Sequence, residues 1–279
     1  RKYRKAVTSP DGEFKMKTCS RVKMGSRLKL LVLTAGVCMS LTVGCGKSEN
    51  KYTYRDAGIE ALNAGDYESA IASFDEAINA SNALVGAFDI DVLKYRAEAE
   101  YRAADYQAAS DTYGILIQVD KERPEYLNMR CVSKAQTGDL SGALDDYKRA
   151  AELDTEKNAP GRAEAILAAG AALENQGASA EAMTLYESAQ AEGIENAELY
   201  NRMGLCKFGE KDYETAITYF AQGLLKPDAA SVPDLIYNQA VAYEYKGDFD
   251  KARELMEQYV AGNSSDEEAA RELEFLKSR

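Results

Sequence analysis

The sequence contains no histidine and no tryptophan among its 279 residues. Without an imidazole, the chain has no histidine ligand for zinc, no Ser-His-Asp triad and no histidine general base. It also contains neither a P-loop nor the glycine pattern that binds dinucleotides. We therefore expect no enzymatic activity, no metal site and no cofactor.

Basic residues are in the minority, with 34 Lys and Arg against 46 Asp and Glu, for a net charge of −12. This balance disfavours nucleic acid as a partner, because binding to phosphates requires a basic surface. The hydrophobic content of 46% is typical of a chain that folds. We therefore expect a folded protein with no nucleic-acid partner.

The charges are distributed unevenly between the beginning of the chain and the rest. Residues 1–44 carry ten basic and two acidic residues, whereas residues 45–279 have a net charge of −20. The basic part ends in an uncharged run, LLVLTAGVCMSLTVGCG, at residues 30–46. The apolar core of this run is shorter than the roughly 20 residues that span a bilayer. A basic segment followed by a short apolar run predicts a secretory signal.

The end of this run, LTVGC at residues 41–45, resembles the lipobox of bacterial lipoprotein signals. Thr42 stands where that pattern most often has Leu. The resemblance implies a signal peptide at residues 24–44, a lipid such as palmitate on Cys45 and a linker at residues 45–51. Acyl chains on Cys45 would hold the protein at the extracytoplasmic face of a bacterial membrane. The alternatives are an uncleaved signal-anchor helix and a simple secretory signal.

The first 23 residues are harder to place, because the sequence begins with Arg and not with Met. Met24 begins a short signal, MGSRLKLLVL, and Met16 would begin a longer one. We expect residues 1–23 to be an upstream segment or an extension of the basic part of the signal.

A short pattern recurs six times between residues 65 and 256. Each copy has a Gly-Asp-aromatic or related triplet, an Ala five residues after its start, and an aromatic residue or Met four residues later. The copies begin at residues 65, 104, 138, 177, 211 and 247. Because Gly readily adopts a positive φ that ends a helix and Asp caps the next one, the pattern predicts two helices per copy.

This pattern resembles the tetratricopeptide repeat, which has a period of 34 residues. Gly58, Gly170 and Gly204 keep the family's first-helix glycine, whereas its first-helix Trp is absent. The resemblance implies an all-α, right-handed α-solenoid of about six helix pairs. The predicted repeats are residues 51–84, 90–123, 124–157, 163–196, 197–230 and 233–266.

Residues 267–279 are predicted to form a C-terminal capping helix. Ser265 and Glu268 make a capping-box pattern at its start. Ala269, Leu273 and Leu276 fall on one face, which would cover the apolar end of the last repeat.

In the tetratricopeptide family, first-helix side chains line a concave groove that binds a protein or peptide. Arg55, Lys94 and Arg102 would form a basic island for a carboxylate or an acidic peptide. An ordinary solvated helix face is the alternative. A chaperone-type carboxylate clamp is not supported, because Ile59 and Glu98 stand where that clamp has Asn. The candidate groove residues are Tyr52, Arg55, Asn63, Lys94, Tyr101, Arg102, Asn128, Gln136, Asn201, Tyr237 and Tyr245.

Two cysteines remain beyond Cys45, namely Cys131 and Cys206. They fall on the first helices of different repeats, and we expect two buried thiols instead of a disulfide. Most of the 18 tyrosines occupy packing positions of the repeat, so the sequence favours a structural role for them.

The sequence therefore predicts a membrane-anchored lipoprotein that acts as a protein-interaction scaffold or assembly factor. One alternative is a pilotin-like or outer-membrane assembly lipoprotein. Others are a cell-wall peptide or glycan receptor and an accessory subunit of an envelope enzyme.

Overall fold

The computed structural model describes residues 47–81 and 85–279. The predicted signal peptide, the predicted lipidation site Cys45 and residues 1–23 lie outside these ranges. The first helix begins at Lys47. Most of the segment predicted as a linker is therefore helical, as its Lys and Glu residues favour.

Thirteen α-helices and one 3₁₀ turn form the regular structure of the described ranges, which contain no β-strand. The helices are α1 (Lys47–Ala64), α2 (Tyr67–Asn79), α3 (Ala87–Arg102), α4 (Tyr106–Val119), α5 (Pro124–Thr137), α6 (Leu140–Leu153), α7 (Arg162–Asn175), α8 (Ser179–Ala191), α9 (Ala197–Gly209), α10 (Tyr213–Leu224), α11 (Asp234–Lys246), α12 (Phe249–Gly262) and α13 (Glu267–Lys277).

The described chain divides within α7 into two units, residues 47–172 and residues 173–279. In the first unit, each helix from α1 to α5 packs on the next one along the chain. In the second unit, each helix from α8 to α12 does the same. Each unit is therefore built from contacts between helices that are neighbours in sequence, as expected of helical repeats.

Five second helices begin with an aspartate cap. Each carboxylate accepts a hydrogen bond from the backbone N–H three residues later, at 3.0–3.2 Å. These bonds satisfy amide groups that have no partner inside the helix. The predicted role of Asp in the repeat turn is therefore confirmed at Asp66, Asp105, Asp139, Asp212 and Asp248.

The residue before each of these caps has a positive φ, which reverses the chain between the two helices. Gly occupies three of the five positions, where this conformation carries no Cβ penalty. Ala104 and Lys211 adopt it with φ of 61° and 65°. The turn geometry is thus retained in two repeats that lack the glycine.

The recurring alanines let the helices approach closely. All six, from Ala70 to Ala252, are fully buried. Phe74 and Phe220, four residues after an Ala, are also fully buried. A Cβ built on Gly58 would stand only 2.5 Å from Cε1 of Phe74, so the aromatic ring fills the space that a side chain would need.

The capping helix α13 packs on α11 and α12, within the second unit, through the face predicted for it. Ala269, Leu273 and Leu276 are buried in one cluster with residues of α11 and α12. Its N-terminal cap is Asp266 and not Ser265, because the Asp266 carboxylate accepts hydrogen bonds from the N–H groups of Glu268 and Ala269. The capping residue expected from the sequence is therefore corrected by one position.

Candidate protein-interaction surface

The first unit has an aromatic and cationic cluster where α1 meets α3. The rings of Tyr52 and Phe88 meet edge to face, with 5.0 Å between their centroids. Nζ of Lys51 lies 4.5 Å from the Phe88 centroid, and Cζ of Arg55 lies 5.5 Å from that of Tyr52. Cations over ring faces are favourable. Tyr52 is 46% exposed, so this α1–α3 cluster (Lys51, Tyr52, Arg55 and Phe88) reaches solvent.

Acidic neighbours neutralise much of the predicted basic island. Arg55 pairs with Asp56 at 2.8 Å and with Asp91 at 3.6 Å. The hydrogen bond from Asp56 raises the pKa of Arg55 above its usual value, while burial acts weakly against it. Arg102 pairs with Glu98 at 2.7 Å. The two guanidinium groups are therefore already matched by carboxylates, which corrects the idea of an open cationic island.

Lys94 is the third member of the predicted island. Its side chain is exposed, and Nζ lies 5.4 Å from the centroid of the Tyr126 ring. Asn63 and Gln136 are also exposed, while Tyr101 is half-buried against Tyr106 with ring centroids 5.3 Å apart. These side chains stand at or near the surface of the first unit.

Three of the candidate groove residues are buried. The Asn128 amide donates to the carbonyl oxygen of Pro160 at 3.0 Å. Asn201 is fully buried and accepts a 3.0 Å hydrogen bond from the amide of Asn238. Tyr237 is fully buried as well. A partner has no access to these side chains without separating the helices, so their assignment to an exposed groove is corrected.

The second unit contains a cluster of three rings, which we call the aromatic triad. Phe208 lies at the end of α9, Tyr213 begins α10, and Tyr245 lies at the end of α11. Their ring centroids are 5.1–5.5 Å apart in all three pairs. Tyr245 is 43% exposed. Such amphipathic rings, packed on one side and open on the other, are typical of protein interfaces.

The second unit also contains a buried ionic network. The Arg202 guanidinium donates to Glu198 at 2.7 Å and to Glu174 at 3.1 Å. The hydroxyl of Tyr186 donates to the other oxygen of Glu174 at 2.6 Å. Burial alone would lower the pKa of Arg202, but the two carboxylates raise it. Glu174 thereby joins α7, α8 and α9.

A second buried acidic feature was not predicted. Glu272 on α13 is only 1% exposed, and its carboxyl group lies near that of Glu244 on α11. Oε2 of each carboxyl group is buried without a hydrogen-bond donor. Burial, together with the neighbouring Glu244, raises the pKa of Glu272 to about 8. Burial also raises the pKa of Glu244. The burial of Glu272 could have been predicted from the sequence, because Glu272 falls on the same helix face as Ala269 and Leu276.

The two cysteines behave as predicted. Cys131 and Cys206 are both buried and free. Burial raises the pKa of each thiol to about 12. Thiolate is the reactive form, so these side chains are chemically quiet packing groups.

Among the described residues, no group of three or more Cys, Asp or Glu side chains is arranged to hold a metal ion. Within the same ranges, no helix combines the length and the apolar character that a membrane crossing requires.

Sequence profiles of the tetratricopeptide repeat match residues 197–225 and 234–261, which contain α9 with α10 and α11 with most of α12. Matching solved structures are themselves tetratricopeptide proteins. One from Parabacteroides merdae ATCC 43184 is 14% identical with a TM-score of 0.61, over 83% of this chain and 93% of that chain. The chain has the tetratricopeptide-repeat fold. The predicted all-α fold class is thereby confirmed.

Two further similar structures come from pilus-related work. PilW, described as a widely conserved type IV pilus biogenesis factor, has a TM-score of 0.66 at 16% identity, over 81% of this chain and 99% of that chain. PilF of Pseudomonas aeruginosa has a TM-score of 0.62 at 17% identity, over 84% of this chain and 100% of that chain. No curated protein sequence matches the chain. Tetratricopeptide proteins generally bind protein partners and are not enzymes.

Proposed function

We propose that this chain is a lipid-anchored scaffold or assembly factor at the extracytoplasmic face of a bacterial membrane. Its non-catalytic task is to bind a protein or peptide partner on the faces of its first helices. The observation that carries the proposal is the placement of Tyr52 and Tyr245. Each tyrosine is almost half exposed and lies on a first helix, Tyr52 against the ring of Phe88 and Tyr245 against those of Phe208 and Tyr213.

Aromatic contacts are a better basis for binding than the predicted basic island. An acidic peptide would have to displace Asp91 from Arg55 and Glu98 from Arg102, which lowers the gain from new ion pairs. A ring already fixed by its neighbours loses little conformational freedom on binding. We therefore propose two separate contact surfaces, the α1–α3 cluster of the first unit and the aromatic triad of the second.

The binding proposal is tested by recovering partners with the full-length protein from detergent-solubilised envelopes. Tyr52→Ala and Tyr245→Ala should each reduce recovery of a bound partner, and the double variant should reduce it further. Leu225→Ser is the matched control, because Leu225 is 84% exposed but lies just after the second helix α10. Equal recovery by the double variant and the control would refute the assignment of the surface.

The anchor is supported by the lipobox-like residues 41–45. Cys45→Ser should abolish lipid attachment and release the protein from washed membranes. Globomycin, which blocks cleavage of lipoprotein signals, should cause the precursor to accumulate. If both treatments leave processing and membrane retention unchanged, the anchor proposal fails and the binding proposal can still stand.

An outer-membrane or pilus assembly factor is the second candidate. It is supported by the extent of the likeness to PilW, which matches along 99% of its own length. Partners recovered from envelopes would distinguish the candidates, since this function requires components of a secreted assembly among them. Binding to peptidoglycan fragments on a glycan array would instead favour a cell-wall receptor.

A further inference from the structure

The carboxyl pair of Glu244 and Glu272 joins the capping helix to the rest of the second unit. Glu244 lies in the last turn of α11, and Glu272 lies in the middle of α13. The two carboxyl groups lie close enough to act on each other, and Oε2 of each is buried without a hydrogen-bond donor. Two carboxylates have no proton to donate to each other, so the pair can form a hydrogen bond only when one group is protonated. The contact between α11 and α13 therefore depends on a bound proton.

The surroundings of the pair provide little positive charge. Glu268, on α13 itself, is another acidic neighbour of Glu272. Arg279 is the cation that acts on Glu244, and its guanidinium lies over the rings of Phe249 and Phe275 at 5.1 and 4.9 Å. One cation offsets one of the two negative charges, so ionisation of both carboxyls leaves an uncompensated charge in a buried position.

The neutral groups near the pair come from α11 and α12. Tyr237 on α11 is buried close enough to Glu268, Glu272 and Asp266 for their charges to raise its pKa, although burial is the larger cause. Tyr259 on α12 donates to Asp266 at 3.1 Å and packs edge to face on Tyr237. These groups add no positive charge, so they do not offset a second carboxylate.

We propose that α13 docks on α11 and α12 through a proton shared by Glu244 and Glu272, so that rising pH loosens this helix. Ala269, Leu273 and Leu276 provide the apolar attraction at every pH. The shared proton determines whether the polar contact between α11 and α13 adds to that attraction or opposes it. Loosening α13 would uncover the apolar side chains Leu255 and Met256 of α12.

The direction of the pH effect follows from the difference in the pKa of Glu272 between the folded and the unfolded protein. Folded Glu272 keeps its proton over a range of pH in which an unfolded chain has already released it, because its pKa is raised to about 8. Docking is therefore strongest below the ordinary carboxyl pKa. It weakens as the pH rises from there, and the contribution is lost once the pH passes the raised pKa.

Hydrogen exchange of the full-length protein, measured by mass spectrometry, tests the pH-dependent docking of α13. After correction for the intrinsic pH dependence of exchange, we expect protection of α13 to be about tenfold lower at about pH 8.5 than at about pH 5.5. Protection of α9 and α10 should change far less. Equal protection of α13 at both pH values would overturn the proposal.

Substitutions make the test specific. Glu272→Gln keeps a hydrogen-bond donor toward Glu244, so α13 should stay protected at high pH. Glu274→Gln is the control, because Glu274 lies on the same helix but faces solvent and pairs with Lys277. A pH response in Glu272→Gln equal to that of the control would overturn the proposal.

A spectroscopic measurement does not depend on that variant. The unmodified protein should show an infrared band of a protonated carboxyl at neutral pH, and Glu244→Gln should shift or remove it. Absence of this band from the unmodified protein at pH 7 would also overturn the proposal.

Discussion

The ring of Phe220 lies in the space that a side chain on residue 204 would occupy. A Cβ built on Gly204 would overlap Cε1 and Cδ1 of the ring. Gly58 stands in the same relation to Phe74 in the first unit. In both cases a first-helix glycine and a second-helix phenylalanine fix how closely the two helices approach. Gly is costly inside a helix, so its use here indicates that close packing outweighs helix propensity.

Gly204→Ala should therefore destabilise the protein, although Ala is the better helix former. The added methyl must displace a fully buried ring, and overpacking of this kind costs about 1–3 kcal/mol. Gly209→Ala is the matched control on the same helix, because a Cβ there meets nothing within 4 Å. Urea unfolding monitored by circular dichroism measures the free energy of unfolding of both variants. A Gly204→Ala variant as stable as the control would contradict this packing.

Lys211→Gly should stabilise the protein. Lys211 has a φ of 65°, a conformation that is unfavourable for residues with a Cβ. Relief of this strain should gain up to about 1 kcal/mol, reduced by the greater flexibility of Gly in the unfolded chain. Glu210→Gly is the control, because Glu210 has a φ of −75° and gains nothing from glycine. In thermal unfolding, the melting temperature should rise for Lys211→Gly and fall for Glu210→Gly.

The repeat turn was predictable from sequence because its chemistry is local. A positive φ and an Asp cap involve residues within four positions of each other, so Gly65-Asp66 and Lys211-Asp212 can be recognised without knowledge of the packing. For the same reason, the turn at Lys211-Asp212 could be recognised from the residues that follow it, even though Lys is not the residue type that favours a positive φ.

The burial of some candidate groove residues could not be predicted from local sequence in this way. Asn201 on α9 is buried next to Asn238 on α11, which is 37 residues away in the sequence and donates a hydrogen bond to it. A helical periodicity gives the direction of a side chain but not the distance to the next helix. The same limit hid the contact between Glu244 and Glu272, which depends on how α13 is seated.

Cys131 and Cys206 should resist alkylation in the folded protein. Burial raises the pKa of each thiol to about 12, so thiolate is scarce even at mildly alkaline pH. Labelling with iodoacetamide at about pH 8, with site-resolved mass spectrometry, should modify neither residue until denaturant is added. The denatured sample is the control for reagent and digestion. Rapid labelling of either thiol in the native sample would contradict its buried position.

Arg202→Met should be among the most destabilising single changes in the second unit. It leaves Glu174 and Glu198 partly buried without their shared cation, a situation that costs about 3–5 kcal/mol. Removing an exposed pair costs far less, so Arg253→Met, which separates Arg253 from Asp250, is the control at about 0–1 kcal/mol. Urea unfolding at neutral pH should separate the two variants clearly. Because protonation removes the uncompensated charge, the deficit of Arg202→Met should shrink at acidic pH, and a deficit that stays constant with pH would argue against an electrostatic cause.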